Sequence, residues 1–287
     1  MSPDPALVSR LQDHLHQIAR ERDPYLATAG HFFVQEYIQA QFGQWGTVER
    51  HDFTLQNGGR VHHNFVLNLP GTSKRKGDQG MILIGAHYDA VPGTPGADDN
   101  ASGVAVLLEL ARVFAAHPIR RPIRLVAFDL EEYGVKGSEA YATQVWQAHE
   151  SIRLMLSLEM LGYFCTTPNS QTYPPGLKYF YPTTGDFIAL VGNLTAIPDL
   201  LLLSRQMCTT GMPCQWLPAI DGGKFVAVTR FSDHSPFWDR GYRAMMVTDT
   251  AFLRNPNYHK RGDRIETLDI PKMAMICEGL VAGLSLL

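Results

Sequence analysis

The chain has 287 residues, 45% of them hydrophobic and 18% charged, which is the balance of a folded domain and not of a disordered segment. Its 25 Lys and Arg against 28 Asp and Glu leave a net charge of −3, so no basic surplus exists to hold a nucleic acid. No apolar run reaches the roughly 18 residues a membrane span needs, and the longest candidate is interrupted by Glu109 and Arg112.

Along the chain, apolar residues at Leu7, Leu11, Leu15, Ile18 and Ala19 have helical spacing, and a second helix is predicted over residues 30–41. Residues 48–55 then alternate as a strand, and residues 63–69 form a second strand stopped by Pro70-Gly71. The basic stretch from Ser73 to Asp78 reads as a solvated hairpin tip. Short apolar runs at residues 81–86, 123–128, 152–158 and 243–248 read as buried strands. Helices are predicted over residues 101–116, 138–148, 187–191, 198–208 and 271–286, the last with Pro271 in its first turn. Strand and helix alternate without repeat or linker. The expected fold is therefore α/β: a single domain over residues 1–287, with a mostly parallel central sheet and helices on both faces.

The opening segment has no basic stretch followed by an apolar core, so the cytoplasm is the expected location. Four cysteines are too few for a disulfide scaffold. Cys208 and Cys214 are close enough in sequence to pair, although a reducing compartment would keep them as thiols.

In open α/β sheets ligands bind beyond the carboxyl ends of the strands. Acidic and imidazole residues fall there repeatedly. Residues 81–86 lead into His87 and Asp89, and residues 123–128 into Asp129, Glu131 and Glu132. Residues 152–158 lead into Glu159, and residues 243–248 into Asp249 with His259 beyond. Such a cluster repels itself unless cations neutralise it. In His87-Tyr88-Asp89 the carboxylate is placed to orient a metal-ligating imidazole. Asp98, Asp99 and Asn100 sit in a loop flanked by Gly96 and Gly103. An N-cap would explain Asp99 or Asn100, but less readily Asp98. Adjacent carboxylates at Glu131-Glu132 suit one ligand beside one general base.

Together, His87-Tyr88-Asp89, the run from Gly96 to Gly103, Glu131-Glu132-Tyr133-Gly134, Ser232-Asp233-His234 and Tyr258-His259 resemble the co-catalytic zinc aminopeptidases, a family that also contains glutamate carboxypeptidases and glutaminyl cyclases. The resemblance runs from about Leu11 to the C-terminus. It implies a sheet of about eight strands and two zinc ions bridged by one carboxylate. Carried over residue by residue, His87 and His259 would each bind one zinc, Asp98 would bridge them, and Glu132 and Glu159 would complete the ligands. Glu131 would be the general base, Asp89 would orient His87, and Asp263 would support His259. The resemblance also implies a cis peptide bond between Asp98 and Asp99. Glu159 stands where Asp is usual, and Lys260 adds positive charge beside His259.

The expected activity is removal of N-terminal residues from peptides through a water shared by the metals, with the Tyr258 hydroxyl assisting the oxyanion. Tyr258 could equally be a packing aromatic. Asp233 and His234 could contact substrate or hold their loop. A carboxypeptidase or acylase would need an inserted lid domain, for which 287 residues leave little room. A glutaminyl cyclase usually carries Trp where Tyr258 stands. The expected partner is a peptide, with no nucleic acid and no membrane.

Overall fold

The computed structural model describes residues 2–56, 59–75 and 80–287. Helix α1 (Pro5–Ile18) starts where the Asp4 side chain accepts from the Ala6 amide and Pro5 fills the first turn. Its buried stripe is Leu7, Leu11, Leu15 and Ile18. Helix α2 (Thr28–Gly43) leads to strands β1 (Val48–Thr54) and β2 (Val61–Leu69), which pair antiparallel. Strand β3 (Met81–His87) ends on its first functional side chain. A wide turn at Ala97–Ser102 then opens helix α3 (Gly103–Ala116). Strands β4 (Ile123–Phe128) and β5 (Ile152–Glu159) flank helix α4 (Lys136–Gln147) in sequence. After β5 come β6 (Ile188–Asn193), α5 (Ile197–Thr209), β7 (Cys214–Ala219), α6 (Ser235–Asp239), β8 (Ala244–Thr248) and α7 (Ile270–Leu284).

The eight strands form one sheet in the order β1-β2-β4-β3-β5-β8-β6-β7. Its centre, β4-β3-β5-β8, is parallel throughout. The flanks are not: β2 runs against β4, and β6 runs against β8. The sheet is thus mixed: β6 and β7 pair parallel at one edge, and the acidic and histidine residues lie on the central parallel strands. Alternate residues face opposite sides, as the pleat requires. Ile82, Ile84 and Ala86 join the core under α1, α3, α5 and α7, whereas Leu83 packs with Tyr141 of α4 and Phe237 of α6. No helix among the described residues is long and apolar enough to cross a membrane.

Two expectations need correction. Residues 187–191, predicted as a helix, belong to strand β6. A five-residue apolar run has no resolvable period, and here neighbours on both sides bury it. The basic stretch after β2 is not a hairpin tip, because β2 and β3 are not neighbours in the sheet; residues 76–78 of it lie outside the described residues. Of the two states left open for Cys208 and Cys214, the structure has the free thiols.

Candidate metal centre

The parallel strands β4, β3, β5 and β8 deliver their carboxyl ends side by side, and the candidate residues converge there. His87 closes β3 and Glu159 closes β5. Asp129 to Glu132 follow β4, and His259 lies in the loop after β8. The turns leaving these strands carry non-glycine residues at positive φ: Leu130 at 57°, Met160 at 48°, Thr250 at 84° and His259 itself at 56°. Such conformations cost about 1–3 kcal/mol each, persist where the surroundings over-determine them, and gather at functional sites.

Two groups of donor atoms are assembled, each with all its atoms within 4.8 Å of one another: His87, Asp99 and Glu159 in one, Asp99, Glu132 and His259 in the other. Asp99 belongs to both. Its Oδ1 lies 3.4 Å from His87 Nε2, and its Oδ2 lies 3.1 Å from His259 Nε2. Glu159 Oε2 is 3.6 Å from His87 Nε2, and Glu132 Oε2 is 3.3 Å from His259 Nε2.

The carboxylate shared by both groups is therefore Asp99, where Asp98 was expected. Asp98 points elsewhere: its Oδ1 accepts from the Gly162 amide and its Oδ2 from Asn255 Nδ2. The backbone fixes this choice. The amides of Asp98 and Asp99 donate to the two oxygens of Asp263, at 2.8 and 3.0 Å, so the loop is gripped at both residues while consecutive side chains diverge. Asp263 thus supports the Asp99 loop, where support of His259 was expected. The cis peptide bond also falls one residue later than expected, between Asp99 and Asn100. Gly103 follows so closely that a Cβ there would meet Asn100 Oδ1 at 2.3 Å.

Asp89 holds two parts of the site at once. Its Oδ1 is 3.4 Å from His87 Nδ1, and its two oxygens accept from the Glu131 and Glu132 amides at 3.1 Å. Glu131 Oε2 stands 4.0 Å from His87 Nε2, facing the centre without joining either donor group. The Tyr258 ring stacks on His259 with centroids 3.7 Å apart. Lys260 and Arg264 are spent on backbone carbonyls, those of Pro256 and Arg261.

Ser232 carries a role that the sequence did not single out. Its hydroxyl donates to Glu159 Oε2 at 2.7 Å and meets the Ser157 hydroxyl at the same distance. Its only signal in the sequence is its place directly before Asp233-His234. His234 anchors its own loop through Nε2 to the Thr229 carbonyl. Burial lowers its pKa to about 3, which keeps the ring neutral. Asp233 is fully buried, and neither carboxylate oxygen has a hydrogen-bond partner among the described residues.

The electrostatics are those of a site short of positive charge. Burial raises Glu131 well above the usual carboxylate range, and Glu159, Glu132 and Asp233 push it further against the pull of His87. Burial, with Asp99 beside it, pushes Glu132 up to about 7. Burial works against a charged His259, but Asp99 and Glu132 outweigh it and raise the imidazole to about 10. Among the described residues, His87 Nε2 and Glu132 Oε1 are buried without a hydrogen-bond partner. Buried polar atoms of this kind need one. Imidazole and carboxylate donors sharing one bridging carboxylate fit a pair of divalent cations of zinc's preferences.

An α/β protein with such donors at the ends of its parallel strands is a candidate metallohydrolase, and the comparisons with known proteins narrow the class. Residues 64–193 match the model of peptidase family M28. The Escherichia coli (strain K12) protein YfbL is 39% identical over 265 residues, covering 86% of this chain and 77% of its own. Leucine aminopeptidase 1 of Trichophyton rubrum is 26% identical over 278 residues, covering 88% of this chain and 66% of its own length. Among solved structures, an Acidobacteriales bacterium glutaminyl cyclase superposes with a TM-score of 0.70 at 17% identity, over 100% of this chain and 96% of that one. The chain belongs to peptidase family M28.

Proposed function

We propose that the protein is a zinc aminopeptidase whose residues 1–287 form one catalytic domain. The observation that carries this reading is Asp99, whose two oxygens face two histidines in two donor groups. His87, Asp99 and Glu159 would hold one zinc, and Asp99, Glu132 and His259 the other. When bound, the ion pair supplies Lewis acidity and lowers the pKa of water to near neutrality. The chain's own groups do the rest. Glu131, raised by burial and by neighbouring carboxylates, takes the proton from the attacking water and returns it to the leaving amine. Asp89 keeps His87 oriented and the Glu131-Glu132 backbone in place. Tyr258 stands beside His259 at the mouth of the substrate pocket, where its hydroxyl supports the oxyanion.

That pocket is lined by Glu159 and Tyr258 and walled by Tyr173, Tyr181, Phe187, Trp216, Phe231 and Phe252 among others. Its wall is apolar, so the reading includes a large apolar side chain on the residue removed. Burying such a side chain contributes about 1.5–3 kcal/mol, so leucyl substrates should exceed glycyl ones by tenfold or more in kcat/KM. The substrate's free α-amine would sit among the carboxylates, with Glu159 as one partner.

The test is a matched set of Leu-initiated peptides: free, N-acetylated and C-amidated. Loss of cleavage on acetylation, with little effect of amidation, is the expected result. Equal cleavage of the acetylated peptide, or strict dependence on a free C-terminal carboxylate, would point to an acylase or carboxypeptidase. A Gln-initiated peptide adds the cyclase arm, since ammonia release without chain cleavage would identify that reaction.

A further inference from the structure

Arg22 and Asp23 are consecutive in the connection between α1 and α2, and both side chains are fully buried. Neither belongs to a donor group. Among the described residues Arg22 donates only to backbone carbonyls: through Nε to Tyr88 at 2.8 Å, through Nη1 to Ile18, Arg20 and Pro95, and through Nη2 to Gly96 at 2.8 Å and Asp99 at 3.1 Å. Four of these six carbonyls lie in the segment that runs from His87 to Asp99. The guanidinium fork offers five N–H groups in a fixed plane, so it fixes that segment as a body. Gly96 leaves room for it: φ there is +56°, and a Cβ would meet Arg22 Nη2 at 2.8 Å.

Asp23 reaches the other side of the centre. Its Oδ1 accepts from the Tyr25 and Leu26 amides and so locks its own turn. Its Oδ2 accepts from the Tyr133 hydroxyl at 2.7 Å. Tyr133 directly follows Glu132. The Tyr25 ring packs edge-on against Tyr133 at 5.0 Å, and its hydroxyl lies 3.1 Å from His62 Nε2. One short connection therefore grips the loop carrying Asp99 with one residue and the loop carrying Glu132 with the next.

We propose that Arg22 and Asp23 form a clasp that sets the separation between Asp99 and Glu132, and so the affinity of the site these two share with His259. This rests on the reading of the centre as a two-zinc site. Arg22, Asp23 and Tyr133 are positioning residues; none of them touches a reacting atom. The clasp matters because direct ligation requires roughly 2.0–2.2 Å per bond, and the two carboxylates arrive on separate loops. Outer partners of this kind are worth about 10–100-fold in metal affinity.

The experiment is a calorimetric zinc titration of the metal-free protein, with melting of the same samples. Wild type should take up two zinc ions. Tyr133→Phe removes a single hydroxyl from a side chain 38% exposed, so the metal-free melting temperature should change little. One of the two zinc affinities should nonetheless fall by about tenfold. Arg22→Lys keeps the charge but loses the fork, and should shift the same affinity in the same direction. If Arg22→Lys fails to fold, Tyr133→Phe carries the test alone. Two unchanged affinities in Tyr133→Phe, against a wild type that binds two ions, would overturn the clasp and leave the two-zinc reading standing. A wild type that binds fewer than two would sink that reading first.

Discussion

A carboxylate can bridge two cations only if each of its oxygens keeps a lone pair aimed at one of them. Asp99 meets that condition and Asp98 does not. Asp98 is turned to Gly162 and Asn255, and its partner on the far side is Asp249, which is itself held by the Tyr163 and Ala251 amides. We therefore expect Asp99→Asn to lose most of its bound zinc and Asp98→Asn to retain it, as elemental analysis of the purified variants would show. Equal zinc in the two would remove Asp99 from the bridging position. Glu131→Gln should keep both ions and lose turnover by at least about 10²-fold, the usual scale for a lost general base. A variant as active as the parent would pass the role of base to another group. At this scale the sequence was legible in kind but not in register. His87, Glu132, Glu159 and His259, read from the strand ends, fall in the two donor groups. Two adjacent aspartates cannot be told apart by spacing alone, because which one faces the site depends on Asp263, far along the chain. Arg22 was invisible for a related reason: a lone arginine between two helices gives no signal until its six carbonyl partners are in place.

Among the elements, α1 and α3 are joined by one buried carboxylate. Glu109 of α3 accepts from Arg10 of α1 at 3.0 Å and from Arg112 one turn along at 2.9 Å, and lies 3.4 Å from His14 Nε2. Burial alone would raise its pKa, but His14, Arg10 and Arg112 outweigh that and hold it at about 2. The sign follows directly. A carboxylate whose folded pKa lies below its unfolded value near 4.5 adds stability that is complete above about pH 4.5 and is lost as the pH falls towards 2. Glu109→Gln should accordingly melt below wild type at pH 7, and the gap should narrow between pH 4.5 and 2. A gap independent of pH would mean that Glu109 acts through packing. Breaking such a buried cluster costs about 3 kcal/mol. The same helices show what the sequence discloses well. Long periodic stretches such as α1, α3 and α7 were placed within a few residues. Strand β6 was read as a helix, and β7 and the five-residue α6 were not found. Each is short, and β7 is an edge strand carrying Pro218, which edges tolerate but which removes the usual strand signature.

For the whole molecule, the centre spans four parallel strands and a late loop, so its ligands come from widely separated parts of the chain. Ions that bind only the folded form stabilise it by RT ln(1 + [L]/Kd), about 4 kcal/mol at a thousandfold excess over Kd. Stripping with a chelator should lower the melting temperature, and zinc should restore it. A melting point indifferent to the chelator would argue that no ion is held.

The span from His87 to His259 has a mechanical consequence. If the proposed ions are bound, any bond cut between those two residues falls inside a loop they close, so the two halves of a nicked chain would remain tied at the centre. Tyr179 and Phe180 are 78% and 80% exposed in the stretch between β5 and β6, which makes that stretch a natural place for chymotrypsin to cut. Zinc-loaded protein cut there should elute from a sizing column as one species, and the same sample should come apart more readily under mild denaturant once a chelator is added. The metal pair would then serve as a clip that holds a severed enzyme together.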